Sequence, residues 1–107
     1  GHLPPREAPL APWTEVMIDL IGPWRIKVDG KDIFFNALTC IDLVSNLVEM
    51  IRIEDKTAAR VAWKFEECWL NRYPRPNKCI HDNGGEFIGW EFQRLLTQCG
   101  IQDAPHS

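Results

Sequence analysis

Lys78-Cys79-Ile80-His81-Asp82-Asn83-Gly84-Gly85-Glu86-Phe87 is a short apolar run that ends in an acid and then meets a turn signal. An earlier stretch, Trp13-Thr14-Glu15-Val16-Met17-Ile18-Asp19-Leu20-Ile21-Gly22-Pro23, has the same grammar. In both, strand-favouring residues lead to an Asp, and glycine follows soon after. A carboxylate at the end of a buried strand is a costly place for charge unless something positive meets it. A metal ion, an Arg or Lys, or a set of backbone N–H groups would serve. Two such acids on two strands suggest a shared divalent cation. The residues also fit a plainer reading, in which Asp82-Asn83-Gly84-Gly85 is a polar turn and Asp19 is salt-bridged.

Working outward, Val16, Ile18 and Leu20 alternate with Met17 and Asp19, so Trp13–Ile21 reads as a strand that Gly22-Pro23 stops. Trp24–Val28 leads into Asp29-Gly30, a strong hairpin signal. Asp32–Leu43 and Leu47–Ile53 read as further strands around a turn at Ser45-Asn46, giving an antiparallel meander. The period then changes. Ala58, Val61, Ala62, Phe65 and Trp69 have amphipathic-helix spacing, with Asp55 or Thr57 as cap and Tyr73-Pro74 as the stop. Ile88, Phe92, Leu95, Leu96 and Cys99 form a second helical stripe, with Gly100 placed as its C-cap. The order is β-β-β-α-β-α, and Ile101 begins another strand. A strand reached through a helix usually runs parallel to an earlier one. If the Asp82 strand lies beside the Asp19 strand, both acids sit where open α/β sheets collect ligands.

The 107 residues make one domain or part of one, and 45% hydrophobic content with five Trp is ordinary for a globular core. Residues 1–12 hold four of the eight prolines and read as an extended linker. No run approaches the roughly 20 apolar residues of a membrane span, and no signal-peptide pattern opens the chain. The expectation is a soluble, intracellular protein with no membrane partner. The net charge of −3 argues against a dedicated nucleic-acid clamp, although acids gathered around a metal would lower the charge of an enzyme acting on nucleic acid. Cys40, Cys68, Cys79 and Cys99 lack zinc or redox spacing and read as buried free thiols.

Trp13…Asp19-Leu-Ile-Gly-Pro, Thr39-Cys-Ile-Asp42-Leu-Val-Ser45, Trp69…Tyr73-Pro74…Pro76 and, above all, Ile80-His-Asp82-Asn-Gly-Gly-Glu-Phe87 resemble the catalytic core of retroviral-type integrases. The resemblance is closest to gypsy-type LTR retrotransposons and runs from about Pro12 to the end. The Asp-Asn-Gly-x-Glu-Phe element is fairly specific, and the Asp19 segment supports it in the correct order. The resemblance implies an α/β, ribonuclease-H-like mixed five-stranded sheet with flanking helices. It also implies Mg²⁺ or Mn²⁺, 3′-end processing of element DNA, strand transfer into target DNA, a homodimer or higher oligomer, and a nuclear or virus-like-particle location. Asp19 and Asp82 match the first and second catalytic, metal-binding acids. Asn83, Gly84 and Glu86 are their neighbours in the motif, with Glu86 more simply a turn-stabilising residue.

The third family ligand is a Glu on a helix further along the chain. Glu86, Glu91 and Asp103 all come too early to be that residue. The expectation is therefore a C-terminally truncated core, residues 13–107, inactive by itself. The rival reading is a non-catalytic integrase-derived domain serving dimerisation or DNA scaffolding. His81 is a weak ligand candidate, because neighbours in a strand face opposite ways. Glu66 and Glu67 are weak alternatives for the third acid, by analogy with ribonuclease H proper. Asp42 reads as a turn residue bonded to Ser45. Lys56, Arg60 and Lys64 recur on one helix face, read as solvated with DNA contact as the alternative. Trp63 lies off the apolar stripe and suits a dimer-interface anchor.

Overall fold

The computed structural model describes residues 11–106. The expected linker over residues 1–12 lies outside them except for Ala11 and Pro12. Five strands form one sheet in the order β3-β2-β1-β4-β5. They are β1 (Glu15–Val28), β2 (Lys31–Asp42), β3 (Val48–Ile53), β4 (Lys78–His81) and β5 (Gln102–Pro105). β1/β2 and β2/β3 are antiparallel, whereas β1/β4 and β4/β5 are parallel. The meander and the parallel return through a helix are both as the sequence predicts.

Gly22-Pro23 does not stop the first strand. β1 runs on to Val28 through a register shift between Ile21 and Trp24. Gly22 has φ +108°, and a Cβ there would come within 3.1 Å of the Phe35 carbonyl oxygen. A bulge at this glycine absorbs the proline that a regular ladder would reject. Beyond it, the two strands continue as an arm to Asp29 and Gly30, whose φ values of 50° and 76° suit a tight two-residue hairpin. Trp24, Ile26 and Val28 on the arm are all exposed.

α1 (Ala58–Phe65) starts at Thr57, whose side chain accepts from the Arg60 amide, while Asp55 accepts from the Thr57 hydroxyl at 2.8 Å. A π-helical turn, Glu66–Leu70, follows without a break, and the Asn71 amide reaches back five residues to the Glu66 carbonyl. This wide turn buries Cys68 as well as Trp69. The second helical stripe is split into α2 (Gly85–Ile88) and α3 (Trp90–Cys99). Phe87, not Ile88, enters the core, and Ile88 is exposed. The cause is extended backbone at Gly89, where a Cβ would lie 2.4 Å from the Ala58 Cβ. Gly100 closes α3 at φ +67°, as expected.

The buried apolar residues of the described helices all meet one face of the sheet. Val16, Ile18, Leu38, Cys40, Ile53 and Cys79 meet Val61, Phe65, Trp69, Phe87, Phe92 and Leu96 in a single cluster. The opposite face carries Met17, Ile41, Val48, Met50 and Ile80, which are partly or well exposed. All four cysteines are free, and the Cys40 and Cys68 sulfurs lie 3.6 Å apart inside the cluster. The Cys68 sulfur and burial together push the Cys40 thiol far up from its ordinary value. No described helix is long and apolar enough to cross a membrane.

Candidate active site

The pairing of β1 with β4 sets the site. Glu15 lies beside Lys78, Val16 beside Cys79 and Met17 beside Ile80. Asp19 and Asp82 each lie two residues beyond the last of these pairs. Residues two apart on a strand share a face, and neighbouring strands are about 4.8 Å apart. Both acids line one cleft of about 190 Å³ with Met17, Ile18, Ile80, His81 and His106. This is on the face away from the helices, because Ile18, next to Asp19, is in the core.

Each acid has one oxygen held by backbone. The Leu20 amide donates to Asp19 Oδ1 at 2.9 Å, and the Gly84 amide donates to Asp82 Oδ1 at 3.0 Å. Thr39 donates its hydroxyl to the Asp19 carbonyl across the β1/β2 ladder at 3.2 Å. Further back on the same face, Lys78 is paired with Glu15 at 3.4 Å. Among the described residues, no Lys, Arg or His forms an ion pair with Asp19 or Asp82. Two exposed carboxylates with hard oxygen donors fit Mg²⁺ or Mn²⁺, which take oxygen ligands and keep several waters. The described residues contain no group of three or more ligating side chains, so any further ligand comes from water, substrate or other residues.

The turn after Asp82 is tightly specified. Asn83 takes a left-handed conformation, φ +70°. A Cβ on Gly84 would sit 2.6 Å from Glu86 Oε1 and 3.2 Å from Asp82 Oδ1. The Glu86 carboxylate therefore folds back over Gly84 toward Asp82. His81 faces the other way, buried against Phe87 and Phe92. His106, which sequence reading passed over, lines the cleft. Its amide donates to the His81 carbonyl at 2.5 Å as β5 runs alongside β4. No local spacing signals it, because its place follows from the pairing of His81 with Pro105.

The remaining residues lie elsewhere. Asp42 is fully buried at the end of β2, and its carboxylate accepts from the Ser45 hydroxyl at 2.6 Å. Burial alone would raise its pKa. The Ser45 hydroxyl and the amides of Val44, Ser45 and Trp13 outweigh it, holding the carboxyl below its ordinary value. Glu66 and Glu67 are exposed on the helical side of the sheet. Arg60 and Lys64 lie on that side too. Arg60 pairs with Asp55, Lys64 pairs with Glu67, and both cations sit about 5.0 Å from the Trp63 ring. Lys56 is exposed just before α1. Trp63 is 54% exposed and borders a groove of about 300 Å³ between α1 and α3.

Neither a family model nor a curated protein matches the chain. Solved structures do. A chain of the simian T-cell lymphotropic virus intasome in complex with PP2A regulatory subunit B56 gamma superposes with a TM-score of 0.78 at 19% identity, over 92% of this chain and 33% of that one. The HTLV-2 integrase catalytic core domain in complex with magnesium gives 0.77 in its trimeric form, at 21% identity over 91% of this chain and 62% of that one. Its dimeric form gives 0.77 at 20% identity, over 90% and 62%. This chain thus spans a third of the intasome chain and less than two thirds of the HTLV-2 chains. Its fold is the one these structures share, a ribonuclease-H-like mixed sheet with flanking helices.

Proposed function

We propose that the chain is the catalytic-core portion of a gypsy-type LTR retrotransposon integrase, a polynucleotidyl transferase that processes 3′ ends of element DNA and joins them to target DNA. One observation carries the reading. Two carboxylates without a cationic partner among the described residues converge on one cleft of an integrase-type fold. Asp19 and Asp82 would hold Mg²⁺ or Mn²⁺. Such an ion, when bound, stabilises charge on phosphoryl oxygens and activates the attacking water or hydroxyl. Asp19 is presented by the middle of the sheet, and Asp82 by a turn that Asn83, Gly84 and Glu86 shape. The HTLV-2 core was solved with magnesium, in dimeric and trimeric forms, which supports metal use and self-association; exposed Trp63 is the anchor proposed here for such a contact. Arg60 and Lys64 lie across the sheet from the cleft, so DNA touching them is not the strand at the acids. Residues 1–12 as linker, 13–107 as core, and a nuclear or virus-like-particle location belong to the same reading.

Titration with Mn²⁺ followed by calorimetry tests it. The wild-type chain should bind Mn²⁺ weakly, and Asp19→Asn or Asp82→Asn should abolish binding. Strand-transfer assays on residues 1–107 should be blank, because two acids lack the third ligand that fixes a second metal. Extending the chain with a downstream Glu helix should restore joining, and Asp82→Asn should again abolish it. Mn²⁺ binding that survives both Asn substitutions would sink the metal assignment. Joining by residues 1–107 alone would refute the need for a further acid.

A further inference from the structure

We propose that His81, locked by Asp103, is a positioning residue that sets the aim of the Asp82 carboxylate. The inference rests on the reading of Asp82 as a metal-binding acid. Its basis is a chain of contacts that crosses the sheet from the helical side to the cleft side. The His81 side chain has no exposed surface and packs against the rings of Phe87 and Phe92. A buried imidazole needs partners for both nitrogens. Nε2 lies 2.5 Å from Asp103 Oδ1, and Nδ1 lies 3.1 Å from the Asn83 amide nitrogen.

Those two partners fix the tautomer. A backbone N–H can only donate, so Nδ1 is the acceptor and carries no hydrogen. Nε2 therefore bears the hydrogen and donates it to Asp103. The partner of Nδ1 is the first residue of the turn that follows Asp82. Asn83 is left-handed at φ +70°, a conformation that Asn tolerates better than most side chains and that a fixed partner for its amide would hold in place. The His81 ring supplies that constraint. The next amide, Gly84, then donates to Asp82 Oδ1 at 3.0 Å. Asp103 orients the ring, the ring holds Asn83, and the held turn delivers an N–H to the carboxylate. Outer contacts of this kind commonly control a metal site through its ligands.

Isosteric substitutions separate the acceptor from the bulk. His81→Asn keeps an oxygen near the place of Nδ1, able to accept from Asn83. His81→Gln keeps a donor near the place of Nε2 but offers Asn83 nothing. Asp103→Ala leaves His81 in the core and frees its ring to take the wrong tautomer. The readouts are amide hydrogen exchange at Asn83 and Gly84 by ¹⁵N NMR, and the affinity for Mn²⁺ alone. His81→Asn should match wild type in both. His81→Gln should accelerate exchange at these two amides and weaken Mn²⁺ binding roughly tenfold or more. Asp103→Ala should fall between. If His81→Gln does not fold, Asp103→Ala alone decides, and wild-type exchange and affinity in it overturn the proposal. Equal behaviour of His81→Asn and His81→Gln also overturns it, since bulk and not the acceptor would then matter. If wild type binds no Mn²⁺, the functional reading of Asp82 falls, and the exchange data still decide whether His81 holds the turn.

Discussion

Asp42 shows what a buried carboxylate needs when the protein itself must satisfy it. Four protein donors face it, and together they reverse the rise in pKa that burial would cause. Asp42→Ala should destabilise the domain by about 1–2 kcal/mol, because it removes the acceptor on which the Ser45 hydroxyl and the turn amides converge. The pH dependence has a definite sign. The folded pKa is depressed, so the contribution is present above the ordinary carboxyl value and is lost as pH falls through the folded value. Denaturant midpoints of wild type and Asp42→Asn should therefore differ most near neutrality and converge in acid; a gap that stays constant down to the acid limit would argue against it. Asp42 was legible as a Ser45-bonded turn residue, and Asp19 and Asp82 as acids interrupting apolar strands, because all three break a local pattern. His81, Asp103 and His106 were not legible as a group. Their contacts span β4 and β5, and the sequence marks β5 only through Ile101, the apolar residue just before it.

At the scale of elements, periodicity and turn signals found β1, β2, β3, α1 and the stripe that holds α2 and α3, and several errors fall where one residue changes the geometry. Gly22-Pro23 reads as a stop, yet a bulge carries the strand through it. Phe65, Cys68 and Trp69 have spacing compatible with an α-helix, so nothing announces the π-helical turn. The stripe from Ile88 to Cys99 runs across Gly89 without a break in spacing, and the nearness of Ala58 is a tertiary fact. Gly89→Ala should cost about 1–3 kcal/mol, since an α1 methyl occupies the space its Cβ would take. Ala58→Gly in the same chain should return part of that loss, beyond what the two single changes predict by addition. Strict additivity in a thermal-unfolding cycle would show that the two elements do not meet there.

For the whole molecule, the described helices cover one side of the sheet and leave Val48 and Met50 exposed on the other, while Trp63 stands out beside the α1–α3 groove. Exposed apolar surface of this extent favours association. Trp63→Glu should lower the mass observed by sedimentation equilibrium with no loss of thermal stability. A wild-type chain that stays monomeric at high concentration would count against an interface at this flank. The mixed five-stranded sheet was legible through the resemblance of the motifs, but the order β3-β2-β1-β4-β5 was not, because the succession of elements does not say which strands pair. The one-sided burial of the sheet was not, because partial exposure at Met17, Ile41 and Ile80 looks the same in sequence as core.

The arm beyond Gly22 also bears on how such a mass is measured. The molecule extends 62 × 29 × 28 Å with a radius of gyration of 15.7 Å, against about 13 Å for a compact domain of this length. An elongated particle drags more than a sphere of equal mass. Size-exclusion elution would make a monomer look heavier than it is, and sedimentation velocity read against spheres would make it look lighter. Light scattering and sedimentation equilibrium respond to mass alone, so the count of subunits has to come from them.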